Sequence, residues 1–256
     1  RLLRVLATFM CAALALATTP AHAAPRVVAS IVPVHALAAA VMDGVAEPEL
    51  LLKGLTSEHQ AIYFPQQIED LAAADLVFMI GGGLELKLDE LSGSEAVGGR
   101  TFISLAQAEG VVRLPIRQGG AFAGHDHDEG AAVDDGHGEG AAAFDPHVWL
   151  DPENAKVMAH VMAQALAKAD PEHAAQYSAN AAALNTVLDQ LTKDITADLS
   201  AVSGKPFVVQ HDAYQYFERR FHLAGVGSIS DFSASEPSAQ RLKAVRDKVK
   251  EAKAVC

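Results

Sequence analysis

From Tyr177 to Leu199 the apolar residues Tyr177, Ala181, Leu184, Leu188, Leu191, Ile195 and Leu199 recur every three or four positions, which is the stripe of an amphipathic helix. Asp170-Pro171-Glu172 supplies its start: a capping carboxylate, a proline at the first helical position and an acid in the first turn. Together they predict a helix of roughly thirty residues, about 45 Å long at 1.5 Å per residue. Such a helix is either a rigid spine along two lobes or one arm of a helical hairpin, and the spacing fits both.

What flanks the helix favours two lobes. Before it, Val27 to Val32 reads as a buried strand stopped by Pro33 and feeding a helix from Val34 to Met42. Glu49 to Leu52, Leu76 to Ile80 and Thr101 to Ser104 read as further strands, with a helix from Pro65 to Ala74 whose Ile68, Leu71 and Ala72 share a side. Asp151-Pro152-Glu153 starts another helix. After the long helix come a strand at Phe207 to Gln210, a helix at Ala213 to Phe221, a strand at Val226 to Ile229 and an amphipathic helix at Pro237 to Lys253, with Leu242, Val245 and Val249 facing inward. Strands alternating with helices at this rhythm imply parallel sheets. The expected fold is α/β: two lobes, each a mostly parallel sheet flanked by helices, joined by one long backbone helix. The pattern stops at Ala254-Val255-Cys256, where another strand is due, so the C-terminal lobe is expected to be incomplete.

The amino end has the basic, apolar and small-residue order of a secretory signal peptide: Arg1-Leu2-Leu3-Arg4, an apolar run from Val5 to Ala17, then Pro20-Ala21-His22-Ala23. That run is shorter than the about 20 residues that span a bilayer as a helix, so cleavage after Ala23 and export to the periplasm are expected. The expected division is 1–23 signal peptide, 24–168 N-terminal lobe, 169–203 linking helix and 204–256 C-terminal lobe. Cys11 leaves with the leader and Cys256 remains alone, which is odd for an oxidising compartment and predicts a partner cysteine beyond residue 256. The formal charge of −12 argues against nucleic acid as a partner and disfavours anionic lipid, although acidity is often only a solubility device.

Three histidines carry the functional signal. His59 follows the strand ending near Leu52 and His211 follows the strand ending at Gln210, so both lie on the sheet edge where open α/β folds bind ligands. His147 lies where the chain passes between the lobes. Three imidazoles select zinc over manganese or calcium, because Zn²⁺ accepts tetrahedral nitrogen ligands while hard cations want oxygen. Water or the Glu58 carboxylate would fill the fourth position, although Glu58 reads more simply as a surface acid. Asp212 reads as the cap of the helix that follows it, rather than as a group orienting an imidazole. Between residues 119 and 143, glycine and alanine alternate with acids and with His125, His127 and His137, the composition of a long loop and of a weak auxiliary metal site.

The motifs Ser57-Glu58-His59 followed by Pro65, His147-Val148-Trp149-Leu150 with Asp151-Pro152, Val209-Gln210-His211-Asp212-Ala213-Tyr214 with Tyr216-Phe217, and Glu236-Pro237-Ser238 resemble the ZnuA type of zinc solute-binding protein from bacterial ABC transporters. The resemblance runs from Val27 to Cys256. It implies two α/β lobes on a long helix, zinc between them on His59, His147 and His211, a histidine-rich loop, and a membrane permease as partner of a monomeric receptor. It also implies further elements and a second cysteine past the final helix. Ala61 departs from the family, which usually has an aromatic residue there. Related manganese-binding members carry glutamate at the position of His211, so His211 favours zinc over a manganese-binding relative. A zinc hydrolase with a three-histidine site is the rival class, since three imidazoles and a water also generate zinc hydroxide. No His-Glu-x-x-His pattern, P-loop or serine elbow accompanies them, and no enzyme is expected.

Overall fold

The computed structural model describes residues 23–54, 57–117, 120–122 and 144–256. Residues 1–22 of the expected leader 1–23, and His125, His127 and His137, lie outside the described residues.

Four parallel strands form the first sheet: β1 (Val27–Ala29), β2 (Glu49–Leu50), β3 (Leu76–Met79) and β4 (Thr101–Ser104), in the order β2-β1-β3-β4. Val27, Val28 and Ala29 pair with Leu76, Val77 and Phe78, and all six are buried, as expected of strands covered on both faces. Helix α1 (Val32–Val41) begins one residue before Pro33, which sits in its first turn, where the missing N–H costs nothing. The strand therefore ends at Ala29, earlier than its apolar run predicts. Helices α2 (Pro65–Ala73) and α3 (Leu86–Ser92) flank β3.

Helix α4 (Pro152–Ala169) starts as its sequence signal predicts: the Asp151 side chain accepts from the Glu153 amide at 3.0 Å, with Pro152 at the first position. The second signal plays out differently. Pro171–His173 forms a 3₁₀ turn, and Asp170 accepts from His173 Nδ1 and from the Tyr177 hydroxyl, both at 2.7 Å, so the long helix α5 (Ala174–Leu199) begins three residues later. Its 26 residues span about 39 Å. Both readings of this helix hold: it packs along α4 as a hairpin arm, and it also touches α1 and α6 (Gln215–Phe221) beyond the first sheet. Tyr177, Ala181 and Leu188 are its buried residues and join the core formed by β1, α1 and α4.

The second sheet pairs β5 (Pro206–His211) with β6 (Ala224–Ser230) in parallel, with an irregularity between Phe207 and Val208. Helix α7 (Ala239–Ala252) lies on this pair. Ser238 caps it, accepting from the Arg241 amide at 3.2 Å. Cys256 is a free, exposed cysteine, and its carbonyl accepts from Val208 N at 3.0 Å. Among the described residues no helix is long and apolar enough to cross a membrane.

Candidate metal centre

Each of the three histidines reaches the site from a different local structure. His59 sits in the 3₁₀ turn Glu58–Gln60 that follows β2, His147 directly precedes the turn Val148–Leu150, and His211 is the last residue of β5. One ligand-capable atom from each lies within 4.8 Å of the others, the one such group of three or more metal-binding side chains among the described residues. Ring centroids are 5.3 Å apart for His59 and His147, 5.3 Å for His59 and His211, and 5.0 Å for His147 and His211. His147 is 1% exposed and packs against Trp149.

The hydrogen bonds around the rings fix which nitrogens face inward. His147 Nδ1 lies 2.7 Å from Asp145 Oδ1, which also accepts from the His147 amide at 3.0 Å. A carboxylate can only accept, so Nδ1 carries a proton, and in the neutral ring that ligates a metal Nε2 keeps the lone pair. His211 Nδ1 likewise donates to the Asp231 carbonyl at 2.8 Å. The two Nε2 atoms then face each other at 3.1 Å, lone pair to lone pair. His59 Nε2 is also buried without a hydrogen-bond partner. Such a set is repulsive until a cation enters. Zinc bound at about 2.0–2.1 Å in a tetrahedron puts its nitrogens about 3.3 Å apart, close to the 3.1 Å between His147 and His211.

Electrostatics pre-set the rings for ligation. Burial, reinforced by the neighbouring His147 and His211, pushes the His59 ring down to about 3, and burial with the neighbouring His147 lowers His211. A simple imidazole set should lose metal as pH falls through about 6.5, whereas here burial keeps His59 neutral well below that pH and favours the neutral form of His211. Zinc binding at about pH 6.5 should therefore release no proton from His59, so that the His59→Ala variant releases as many protons per zinc as the parent, read from titrations in two buffers of different ionisation enthalpy. A parent that releases measurably more protons than the variant would contradict this.

Glu58 is not part of the cluster, although its charge lies close enough to favour the charged form of His211. Asp212 does not cap a helix, which corrects the expectation drawn from its place in the sequence. Tyr214 occupies the cap position of α6 without a side-chain bond, and Asp212 is instead ion-paired with Arg117. Arg117 Nη1 also donates to Glu218 Oε2 at 2.6 Å, and its guanidinium stacks over the Phe122 ring at 3.9 Å. Glu218 needs room to reach it, and a Cβ on Gly225 would come within 2.6 Å of the Glu218 carboxylate. The Tyr216 hydroxyl adds a second tie, accepting from Leu114 N at 2.9 Å and donating to the Asp145 carbonyl at 2.7 Å. Arg220 adds a third, gripping both oxygens of Asp151 at 2.7 and 2.8 Å. Residues of α6 thus hold the segments on either side of His147, and Arg117 holds the residue next to His211.

Sequence reasoning misses three of these groups: Asp145, Arg117 and Glu85. Glu85 lies at the carboxyl ends of β1 and β3, the switch point where such sheets bind ligands. Its own carboxylate fills that crevice, accepting from Ser30 Oγ at 2.5 Å, Ile80 N at 3.1 Å and Gly81 N at 2.7 Å. Complete burial nevertheless pushes it up to about 7. Gly81-Gly82-Gly83, all at positive φ, is the signal that could have found it. Ala61, the departure from the family pattern, is buried in the core, and Tyr63 packs against both apolar clusters beside it.

The family model described as the zinc-uptake complex component A, periplasmic, matches residues 27–256. The chain belongs to the ZnuA family. The high-affinity zinc uptake system protein ZnuA of Brucella abortus is 38% identical over 250 residues, covering 90% of this chain and 75% of that protein. The ZnuA protein of Yersinia pestis is 33% identical over 255 residues, covering 96% and 79%. A crystal structure of a ZnuA deletion mutant with zinc bound superposes with a TM-score of 0.71 at 28% identity, covering 90% of this chain and 78% of that one. Members of the ZnuA family are solute-binding proteins and not enzymes, which sets aside the hydrolase alternative.

Proposed function

We propose that this chain captures Zn²⁺ on His59, His147 and His211 and hands it to an ABC-transporter permease for import. The observation that carries this reading is the group of imidazole nitrogens brought together from the turn after β2, the segment before α4 and the end of β5, with the Nε2 atoms of His147 and His211 facing each other at 3.1 Å. Water or Glu58 completes the coordination. The reading takes the leader 1–23 to be cleaved and the receptor to act as a periplasmic monomer with lobes at 24–168 and 204–256 on the linking segment 169–203. It assigns His125, His127 and His137, set among acids and glycines in the sequence, to weak auxiliary capture.

The test is growth on limiting zinc. Cells lacking their own zinc receptor, supplied with this chain and its cognate permease, should grow, and the His147→Ala chain should not rescue them. Equal rescue by both would overturn the reading. Growth restored by manganese and not by zinc would favour a manganese-binding receptor instead.

Asp145 has a separate role in this proposal. It holds the His147 tautomer, so Asp145→Ala should weaken zinc binding by about 10- to 100-fold, the usual cost of removing a group that orients a metal-bound imidazole. Competition against a chelating dye measures it, and unchanged affinity would contradict the role.

A further inference from the structure

Helix α7 carries a charge opposite to that of the molecule. The chain has a formal charge of −12, yet α7 and its cap contain Arg241, Lys243, Arg246, Lys248, Lys250 and Lys253 against Asp247 and Glu251. Lys243, Arg246 and Lys250 follow one another at steps of three and four residues, which aligns them in one row, and Lys253 adds a fourth cation at the helix's left-handed C-cap. All four are exposed or partly so, and the Lys243 side chain is 75% exposed. Leu242, 41% exposed, borders the row, while Val245 is the residue the helix buries. The other two cations are engaged elsewhere: Arg241 donates to the Ile229 carbonyl and Ser228 Oγ, and Lys248 pairs with Glu251. Asp247, paired with Lys243, is the acid nearest the row.

We infer that this row is a docking surface for an anionic bilayer, with acidic phospholipid headgroups as its ligand. Three cations in a line and a fourth at the helix end, beside an exposed leucine, match a flat, diffuse array of negative charge with apolar chains beneath it. A purely acidic protein segment would offer Leu242 no apolar partner. The net charge of −12, which disfavours anionic lipid for the molecule as a whole, acts beyond about 8 Å only through screening salt, so it weakens the local attraction of the row without abolishing it. The acids elsewhere keep it oriented, with α7 toward the lipid. The inference extends the transport reading, which gives the protein a reason to visit a membrane, but its test needs no zinc.

The experiment is sedimentation of the full chain with vesicles of phosphatidylcholine alone or with about one-third phosphatidylglycerol, at low and high salt. Binding should appear only on the anionic vesicles and be lost at high salt. The variant Lys243→Glu/Arg246→Glu/Lys250→Glu should lower it by at least about tenfold while zinc affinity and Tm stay unchanged. The milder Lys243→Gln/Arg246→Gln/Lys250→Gln should show a smaller loss and guards against misfolding of the first. No binding to anionic vesicles, or equal binding by wild type and variants, overturns the inference. Binding to poly-glutamate but not to vesicles also overturns it and assigns the row to an acidic protein partner. A chain that binds anionic vesicles but not zinc leaves this inference standing and sinks the transport reading alone.

Discussion

The His147→Ala variant is expected to bind zinc about two to three orders of magnitude more weakly than the parent. Structural zinc sites are worth about 10–16 kcal/mol at neutral pH, so one of four positions carries about 2.5–4 kcal/mol. His147 should show the full loss, because it is 1% exposed and no fourth histidine, cysteine or carboxylate joins the cluster among the described residues. His59→Ala and His211→Ala should each also weaken binding severely. Deleting residues 124–138 should cost little, since the proposed site draws on none of them. Isothermal titration with a competing chelator reads all four variants. A loop deletion that abolishes tight binding while His147→Ala retains it would move the site to the loop.

Arg117→Met should destabilise the fold by about 3–5 kcal/mol, the cost of leaving a buried charge without its partner. Here two are left, since the Asp212 and Glu218 side chains are 4% and 8% exposed and both meet Arg117. The triple variant Arg117→Met/Asp212→Asn/Glu218→Gln removes all three charges at once, and much of the stability should return. Denaturant unfolding followed by circular dichroism separates the two cases. If Arg117→Met unfolds at the parent's midpoint, the guanidinium is not what joins these segments.

Local signals are legible in the sequence, and long-range ones are not. Asp151-Pro152-Glu153 announces its helix because the cap, the proline and the first-turn acid all act within three residues. The parallel strands β1 and β3 show in their apolar runs because burial on both faces demands continuous hydrophobicity. Asp212 illustrates the opposite. An aspartate just before a helix suits a cap, but Arg117, far away in sequence, offers a stronger partner, and nothing near residue 212 reveals it. The same holds for Tyr216, whose hydroxyl joins Leu114 to Asp145. The histidines are legible as a set because each stands at a strand end or chain reversal. The proton positions that turn their lone pairs inward depend on Asp145 and on the Asp231 carbonyl, and only coordinates supply those. The long helix is legible in length to within about a turn. Its double role as hairpin arm and inter-lobe contact is not, since one apolar stripe serves both.

X-ray absorption at the zinc edge of the loaded protein tests the central claim most directly. Three imidazole nitrogens at about 2.0–2.1 Å, with one further light ligand, are predicted for the parent, and a shell short of one imidazole for each of the His59, His147 and His211 alanine variants. A parent spectrum fitted by fewer than three imidazoles, or unchanged in any of those variants, would contradict a single ion shared between the two halves of the molecule.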